Sequence, residues 1–337
     1  MRTTFGVILV WTTITACGSS PPPPAEPPPP PVAATGTPAE TAAPGPSGGP
    51  EVDRAVAAIK ANDFRSAKAA LEVALKNNPK NGTASYYMGV ALENLGDKQG
   101  AEQKYKDALA NAPDIAEASV NLGALYLDAN RWDDAIEVTK KGLQRRSTDP
   151  ALHANMAMAL RGKGDKEGAA AHYEQAVRVV GDNADLRYAY GSLLLEMGNK
   201  QRAVVELKAA MGAAGNNRAM LASVGRALGS AGAFADCVAA FDRAISAADD
   251  AELRVRRGLC RHSLNDEAGA KSDFEAATKL DGKFAPAHYY FGESLLASGN
   301  AAQAAKEFDA AAIAAPQSEL GKKAKAQAEA ARKGKKH

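Results

Sequence analysis

Along residues 82–115, apolar and small residues recur among polar ones in two blocks, with the spacing of amphipathic helices rather than of strands. The apolar and small positions of the two blocks are Met88, Gly89, Leu92, Ala101, Tyr105 and Ala108. Gly96 separates the blocks and Pro113 follows the second one, and both residue types stop helices. The pattern predicts a helix–turn–helix hairpin. One hairpin cannot bury its apolar face alone, so we expect neighbours of the same kind.

The same pattern recurs every 34 residues and gives eight units between residues 51 and 318. We number the repeat positions so that Gly82 is position 1 of the second unit. Position 8 is always small: Ala55, Gly89, Gly123, Ala157, Gly191, Gly225, Gly258 and Gly292. Position 15 is always Gly or Asn: Asn62, Gly96, Asn130, Gly164, Gly198, Gly232, Asn265 and Gly299. These two residue types tolerate the left-handed conformation that ends a helix.

Positions 20 and 27 also hold only small residues, and one residue is missing from the period near Asp249. This pattern resembles the tetratricopeptide repeat, a 34-residue helix–turn–helix unit that carries small residues at these positions and often ends in Pro. The final prolines that match are Pro79, Pro113 and Pro316. The resemblance implies an all-α fold, a right-handed α-solenoid of about eight repeats over residues 51–318. Residues 319–337 would form a capping helix and a basic tail.

The chain starts with features of an export signal. Arg2 precedes the apolar run Phe5–Ala16, which is too short to span a bilayer as a mature helix. Ile14–Cys17 resembles the lipobox of bacterial lipoproteins, in which the signal, here residues 1–16, is removed and the cysteine is acylated. Several acyl chains together anchor a protein stably. The alternative is an ordinary signal peptide with a coincidental Cys17.

Residues 17–50 follow as a tether that begins at the lipidated cysteine. The segment is rich in Pro and has no apolar periodicity, so it cannot build a core. Its proline runs favour the polyproline II conformation of a semi-rigid spacer. A partner that docks on these runs is the alternative interpretation.

Composition and charge argue against several classes of function. The formal net charge of +2 gives no overall attraction to nucleic acid or to membranes. The five histidines show no metal-ligand spacing, and neither an HExxH motif nor a phosphate loop is present. We therefore expect a non-enzyme with no catalytic residues, no metal, no cofactor and no small-molecule substrate. For Cys237 and Cys260 two buried thiols are the favoured interpretation, with a disulfide as the alternative.

In tetratricopeptide repeat proteins the first helix of each hairpin lines a concave groove that holds protein or peptide segments. By this resemblance, the candidate groove residues are Tyr87, Asn121, Asn155, Tyr188, Arg226, Arg256, His262 and Tyr290. The groove would be acidic in the second and third units and basic in the sixth and seventh.

Three arginines of the seventh unit, Arg254, Arg257 and Arg261, share one helical face at positions that are apolar in other units. In one account their stems pack and their heads reach nearby aspartates, for which Asp236, Asp242, Asp249 and Asp250 are the candidates. In the other, the groove of the sixth and seventh units binds an anionic partner segment, since Arg forks suit carboxylates.

Taken with the anchor, the resemblance implies a scaffold that is held at the outer membrane through Cys17 and faces the periplasm. It is similar to envelope-assembly lipoproteins of this repeat family, such as pilotins of type IV pilus secretins and gliding-motility components. Its partners would be proteins in a pilus, motility or secretion assembly, with no nucleic acid, and exposure at the cell surface stays open. The alternatives are a chaperone-like holder of unfolded envelope proteins and an accessory subunit of an envelope enzyme.

Overall fold

The computed structural model describes residues 48–333, and its regular elements in that range are seventeen α-helices. The first helices of the eight repeats are α1 (Pro50–Lys60), α3 (Gly82–Asn94), α5 (Ala116–Asp128), α7 (Pro150–Gly162), α9 (Ala184–Glu196), α11 (Arg218–Ala231), α13 (Ala251–Ser263) and α15 (Ala285–Ala297). The second helices are α2 (Phe64–Asn77), α4 (Lys98–Asn111), α6 (Trp132–Arg145), α8 (Lys166–Val179), α10 (Lys200–Ala213), α12 (Phe234–Ala247), α14 (Glu267–Leu280) and α16 (Ala301–Ala314). The last helix is α17 (Glu319–Lys333). The predicted all-α repeat array is confirmed.

The helices pack in chain order. The two helices of each repeat contact each other, and each second helix contacts the first helix of the next repeat. α17 packs on α16 and α15 and buries Ala324, Ala328 and Ala331 there. No helix of residues 48–333 combines the length and the apolar character needed to cross a bilayer. The predicted signal peptide, Cys17, most of the predicted tether and the last four residues lie outside the described range.

The turn between the two helices of a repeat has the backbone that the sequence predicts. All eight residues at position 15 have positive φ, from 55° at Asn130 to 87° at Gly96 and Gly164. The following helix is often capped by a side chain, as where Asp97 accepts from the Gly100 backbone N–H at 2.9 Å. From α3 onward, successive first helices start 34 residues apart, except that α13 starts 33 residues after α11, which confirms the missing residue.

In every repeat except the third, the small residue at position 8 goes with a large buried side chain at position 24 of the same repeat. A Cβ atom added at Gly89 would lie 2.5 Å from the Tyr105 ring, and one added at Gly258 would lie 2.5 Å from the Phe274 ring. Tyr105 is fully buried and Phe274 nearly so, so neither ring can move aside into solvent. A glycine at position 8 therefore allows the two helices of these repeats to pack closely around the aromatic ring at position 24.

Gly89→Ala is expected to destabilise the protein by about 1–3 kcal/mol, because the new methyl group overlaps the Tyr105 ring. Gly212→Ala is the matched control, since Gly212 is an exposed residue of α10 whose added Cβ would have no neighbour within 4 Å. The control should be neutral or stabilising by up to about 1 kcal/mol, because Ala favours the helix. Thermal unfolding of both variants checks this, and equal effects would contradict the proposed packing.

Repeats 6 and 7 are joined covalently. Cys237 of α12 and Cys260 of α13 form a disulfide with a Cα–Cα distance of 6.3 Å. The favoured interpretation of two free thiols is therefore wrong, although both cysteines are buried, as expected. In the sequence, each cysteine on its own fits a small buried packing position. Only the contact between α12 and α13 brings the two side chains together.

Candidate partner-binding surface on the first helices

Most of the predicted groove residues lie partly exposed on the first helices. The half-exposed residues among them are Tyr87, Asn121, Tyr188, Arg226, Arg256 and Tyr290. His262 is exposed, whereas Asn155 is buried. Repeat position 6 supplies Tyr87 and Asn121 in repeats 2 and 3 and Arg256 and Tyr290 in repeats 7 and 8, so half-exposed aromatic, amide and cationic side chains form two groups. Between these groups, position 6 holds the buried Asn155 and Ala189 and the small Ser223.

Asn155 differs from the expectation because its side chain holds neighbouring repeats together. It is 3% exposed, and its Nδ2 donates to the Val120 carbonyl oxygen of the preceding first helix at 2.8 Å. A buried amide that already bonds the backbone is a packing element rather than an open contact for a partner.

In repeats 2 and 3 a buried tyrosine holds the polar groups of the surface in place. The Tyr105 hydroxyl donates to Glu93 Oε2 at 2.6 Å and accepts from Asn121 Nδ2 at 3.2 Å. Burial raises the pKa of the Glu93 carboxyl, and the hydrogen bond from Tyr105 partly opposes this. The ring of Tyr86 links Tyr87 to this group, since its centroid lies 6.1 Å from that of Tyr105 and 5.0 Å from that of Tyr87. The result is a preorganised patch of aromatic, amide and carboxyl groups.

The three arginines of repeat 7 converge on one carboxylate that no sequence pattern marked. Asp273 of α14 is 1% exposed and accepts from Arg257 Nε at 2.8 Å, Arg261 Nη1 at 2.9 Å and Arg254 Nη1 at 3.2 Å. Hydrogen bonds to Asp273 raise the pKa of Arg257. The account in which the arginine heads reach aspartates is therefore the one that the structure supports.

The four aspartates that the sequence suggested as partners of these arginines all form ion pairs within the array. Asp242 accepts from Arg257 Nη1 at 2.7 Å, and Asp249 accepts from Arg254 Nη2 at 2.6 Å. The remaining two candidate aspartates are bound by other cations, Asp236 by Lys208 and Asp250 by Arg218. Arg254, Arg257 and Arg261 thus belong to the packing of repeats 6 and 7 rather than to an open surface.

The basic residues that remain on the surface of repeats 6 and 7 also have local contacts. Arg226 donates to the Ser223 hydroxyl at 3.0 Å, and Arg256 pairs with Glu252 at 2.8 Å. The His262 Nδ1 lies 2.9 Å from Glu267. These contacts are exposed or half-exposed, so solvent weakens them and a partner carboxylate can compete.

In repeat 8 the surface ends in an aromatic group. The rings of Tyr290 and Phe274 stack with centroids 5.6 Å apart, and Tyr289 meets Tyr290 edge-on at 5.4 Å. The Tyr289 hydroxyl donates to Glu293 at 2.7 Å, and Lys323 of α17 lies over the Tyr289 ring. Tyr290 is the half-exposed member and the one that a partner could reach.

Among residues 48–333, no group of three or more His, Cys, Asp or Glu side chains is placed to hold a metal ion. His153 and His172, which are 19 residues apart, do approach each other, with their Nδ1 atoms 2.9 Å apart. The spacing of the two histidines along the sequence does not indicate this pair, because the two side chains meet only when α7 packs on α8.

Family models of the tetratricopeptide repeat match most of the array. One model matches residues 52–114, 155–218 and 264–319, and a second matches residues 94–159. Protein FlbA of Caulobacter vibrioides is 26% identical over 161 residues, which are 48% of this chain and 27% of FlbA. The chain thus spans about a quarter of the length of that relative.

Solved structures with a similar fold come from several organisms. MamA of Desulfovibrio magneticus RS-1 is 19% identical, with a TM-score of 0.45 over 48% of this chain and 92% of MamA. The thermophilic protein TTC0263 of Thermus thermophilus is 22% identical, with a TM-score of 0.44 over 53% of this chain and 97% of its own. Yeast Tom70 is 16% identical, with a TM-score of 0.46 over 81% of this chain and 60% of Tom70. At these identities the likeness concerns the fold alone.

Proposed function

Because the chain belongs to the tetratricopeptide repeat family, we propose that it is a membrane-anchored scaffold that holds protein partners in a cell-envelope assembly. The observation that carries the proposal is the set of half-exposed side chains at position 6 of the first helices, Tyr87 and Asn121 in repeats 2 and 3 and Arg256 and Tyr290 in repeats 7 and 8. Aromatic and Arg side chains of this kind dominate the binding energy of protein interfaces. An extended partner segment that crosses repeats 2 and 3, or repeats 7 and 8, would contact one of these side chains in each repeat.

Two separate features support a location in the envelope. The segment that ends at Cys17 has the pattern of a lipoprotein signal, and a lipid there would anchor the array. Disulfides between buried cysteines persist in oxidising compartments such as the periplasm, so the Cys237–Cys260 bond fits an exported protein. The signal concerns the first residues and the disulfide concerns repeats 6 and 7, so neither inference depends on the other.

Affinity capture from detergent-solubilised envelopes tests the proposal with the full-length tagged chain. Wild-type protein should retain a defined set of partners. The double variant Arg226→Glu, Arg256→Glu should retain at least about tenfold less of a partner with an acidic segment, since like charges across an interface are strongly unfavourable. Cys17→Ser should move the protein from the membrane fraction to the soluble fraction without changing capture.

The matched control is the double variant Arg178→Glu, Lys279→Glu. Both residues are exposed on second helices, and each pairs with a Glu four residues earlier, as Arg256 does. If the control and the Arg226, Arg256 variant capture equally, the surface on the first helices is not the binding site. If Cys17→Ser protein stays with membranes after a high-salt wash, the lipid is not the anchor.

A further inference from the structure

Three repeats share a side-chain arrangement that ties their two helices together. A basic or imidazole side chain at position 4 of the first helix contacts a carboxylate at position 23, 19 residues later on the second helix. The pairs are Arg187 with Glu206, Arg254 with Asp273, and His288 with Glu307. We call this arrangement the clasp.

In two of these repeats the clasp also holds the turn from the preceding repeat. Arg187 Nε donates to the Gly181 carbonyl oxygen at 3.0 Å, and His288 Nε2 lies 3.1 Å from the Gly282 carbonyl oxygen. In both cases the carbonyl belongs to the residue six positions earlier. One side chain therefore joins an inter-repeat turn, a first helix and a second helix.

Repeat 4 has the same geometry with different chemistry. His153 at position 4 is 9% exposed, and its Nε2 lies 2.9 Å from the carbonyl oxygen of Ser147, again six residues earlier. Its Nδ1 lies 2.9 Å from Nδ1 of His172, which occupies position 23, where the other clasps have a carboxylate. In this repeat an imidazole takes the place of the anion.

The hydrogen bonds fix where the protons are. The Ser147 carbonyl oxygen can only accept, so His153 Nε2 carries a proton and neutral His153 presents Nδ1 as an acceptor. His172 therefore donates from its Nδ1. A second proton on His172 keeps that bond, but a further proton on His153 Nδ1 would set two N–H groups against each other. The Nδ1–Nδ1 hydrogen bond is therefore incompatible with a proton on both Nδ1 atoms, a restriction that the two separated imidazoles of the unfolded chain do not have.

The groups around the two histidines do little to stabilise a positive charge on His172. Burial and the neighbouring His153 lower the pKa of His172 below its usual 6.5, and Asp165 at the start of α8 opposes this only in part. Three charged residues on neighbouring elements already have partners of their own. Arg146 after α6 binds Glu117 of α5, Arg187 of α9 binds Glu206, and Asp149 caps α7.

We propose that the His153–His172 clasp is an acid-sensitive joint that opens as the pH falls and loosens repeat 4 within the array. The sign follows from linkage: the unfolded chain binds more protons than the folded pair, so the clasp's stability is present above a pH of about 6.5 and is lost below it. The clasp of repeat 8 responds differently, because a protonated His288 is attracted to the carboxylate of Glu307. The inference uses no partner and does not depend on the proposed function.

His172→Glu tests the joint by giving repeat 4 the His–Glu pair of repeat 8. Between pH 7.5 and pH 5.5, the melting midpoint of the wild type should fall by roughly 2 °C or more beyond that of the variant. Hydrogen exchange gives the local readout. Protection of the α7 and α8 amides should drop at least about threefold more in the wild type than in the variant over the same interval, after correction for intrinsic exchange.

The reciprocal variant Glu307→His builds a His–His clasp in repeat 8. It should make α15 and α16 lose protection in acid, which provides a second test if His172→Glu folds poorly. If wild type and His172→Glu respond to pH alike, or if Glu307→His leaves α15 and α16 unchanged in acid, the clasp is not an acid-sensitive joint.

Discussion

Asp273→Asn should lower the free energy of unfolding by about 3–5 kcal/mol, the cost of removing one partner from a buried ion pair. The carboxylate lies within hydrogen-bond distance of Arg254, Arg257 and Arg261 and is 1% exposed. Asparagine keeps the shape but removes the negative charge. The guanidinium groups then stay partly buried without the negative charge that balanced them, so the melting midpoint should drop by roughly 6–20 °C.

Asp242→Asn is the control for this effect. Asp242 also binds Arg257, but its side chain is 48% exposed, so water replaces most of the lost interaction. The expected cost is below about 1 kcal/mol. Equal midpoints for the two variants would mean that Asp273 is not the centre of the cluster.

The double variant Cys237→Ala, Cys260→Ala should be less stable by about 3 kcal/mol, because the disulfide closes a loop with a sequence separation of 23. The loss arises mainly in the unfolded chain, which regains the freedom that the bond removes. Packing around Cys237 should change little, since the same repeat position holds alanine in the adjoining repeats, as at Ala203 and Ala270.

Chemical denaturation with and without a reductant separates the bond from the side chains. Reduced wild type should approach the stability of the double variant, and the reductant should leave the variant unchanged. A wild type whose midpoint does not respond to complete reduction would contradict a stabilising bond between repeats 6 and 7.

The features that repeat along the chain could be predicted from the sequence. The turn at position 15 needs positive φ, and only Gly and Asn occupy it, so the residue type already indicates the backbone. Position 8 is small wherever a ring or another side chain approaches, as at Gly89 and Gly258. Both signals are local, and each recurs in every repeat, so they also give the fold.

The features that depend on contacts between helices could not be predicted. Asp273 and His172 both occupy position 23, where other repeats have Glu206 and Glu307 but also Lys104, Val138 and Ala240, so no single residue type marks it. Their partners lie up to 19 residues earlier, on the facing helix. Asn155 occupies the same repeat position as Asn121, and this position predicts an amide that contacts a partner. Its side chain instead donates a hydrogen bond to the backbone of the preceding first helix.

The links between repeats determine which units could be exchanged during evolution. The small residue at position 8, its large neighbour at position 24 and the clasp all lie within one repeat, so duplication or deletion of a whole unit keeps them together. The disulfide instead joins repeats 6 and 7 through two specific side chains. Asn155 of repeat 4 reaches back to repeat 3 but binds only a backbone carbonyl, that of Val120. Repeat 5 meets repeat 6 through Arg243, which donates to the backbone carbonyls of Met211 and Gly215. Because any residue supplies a carbonyl, array length could vary between repeats 3 and 4 or between repeats 5 and 6 more readily than between repeats 6 and 7.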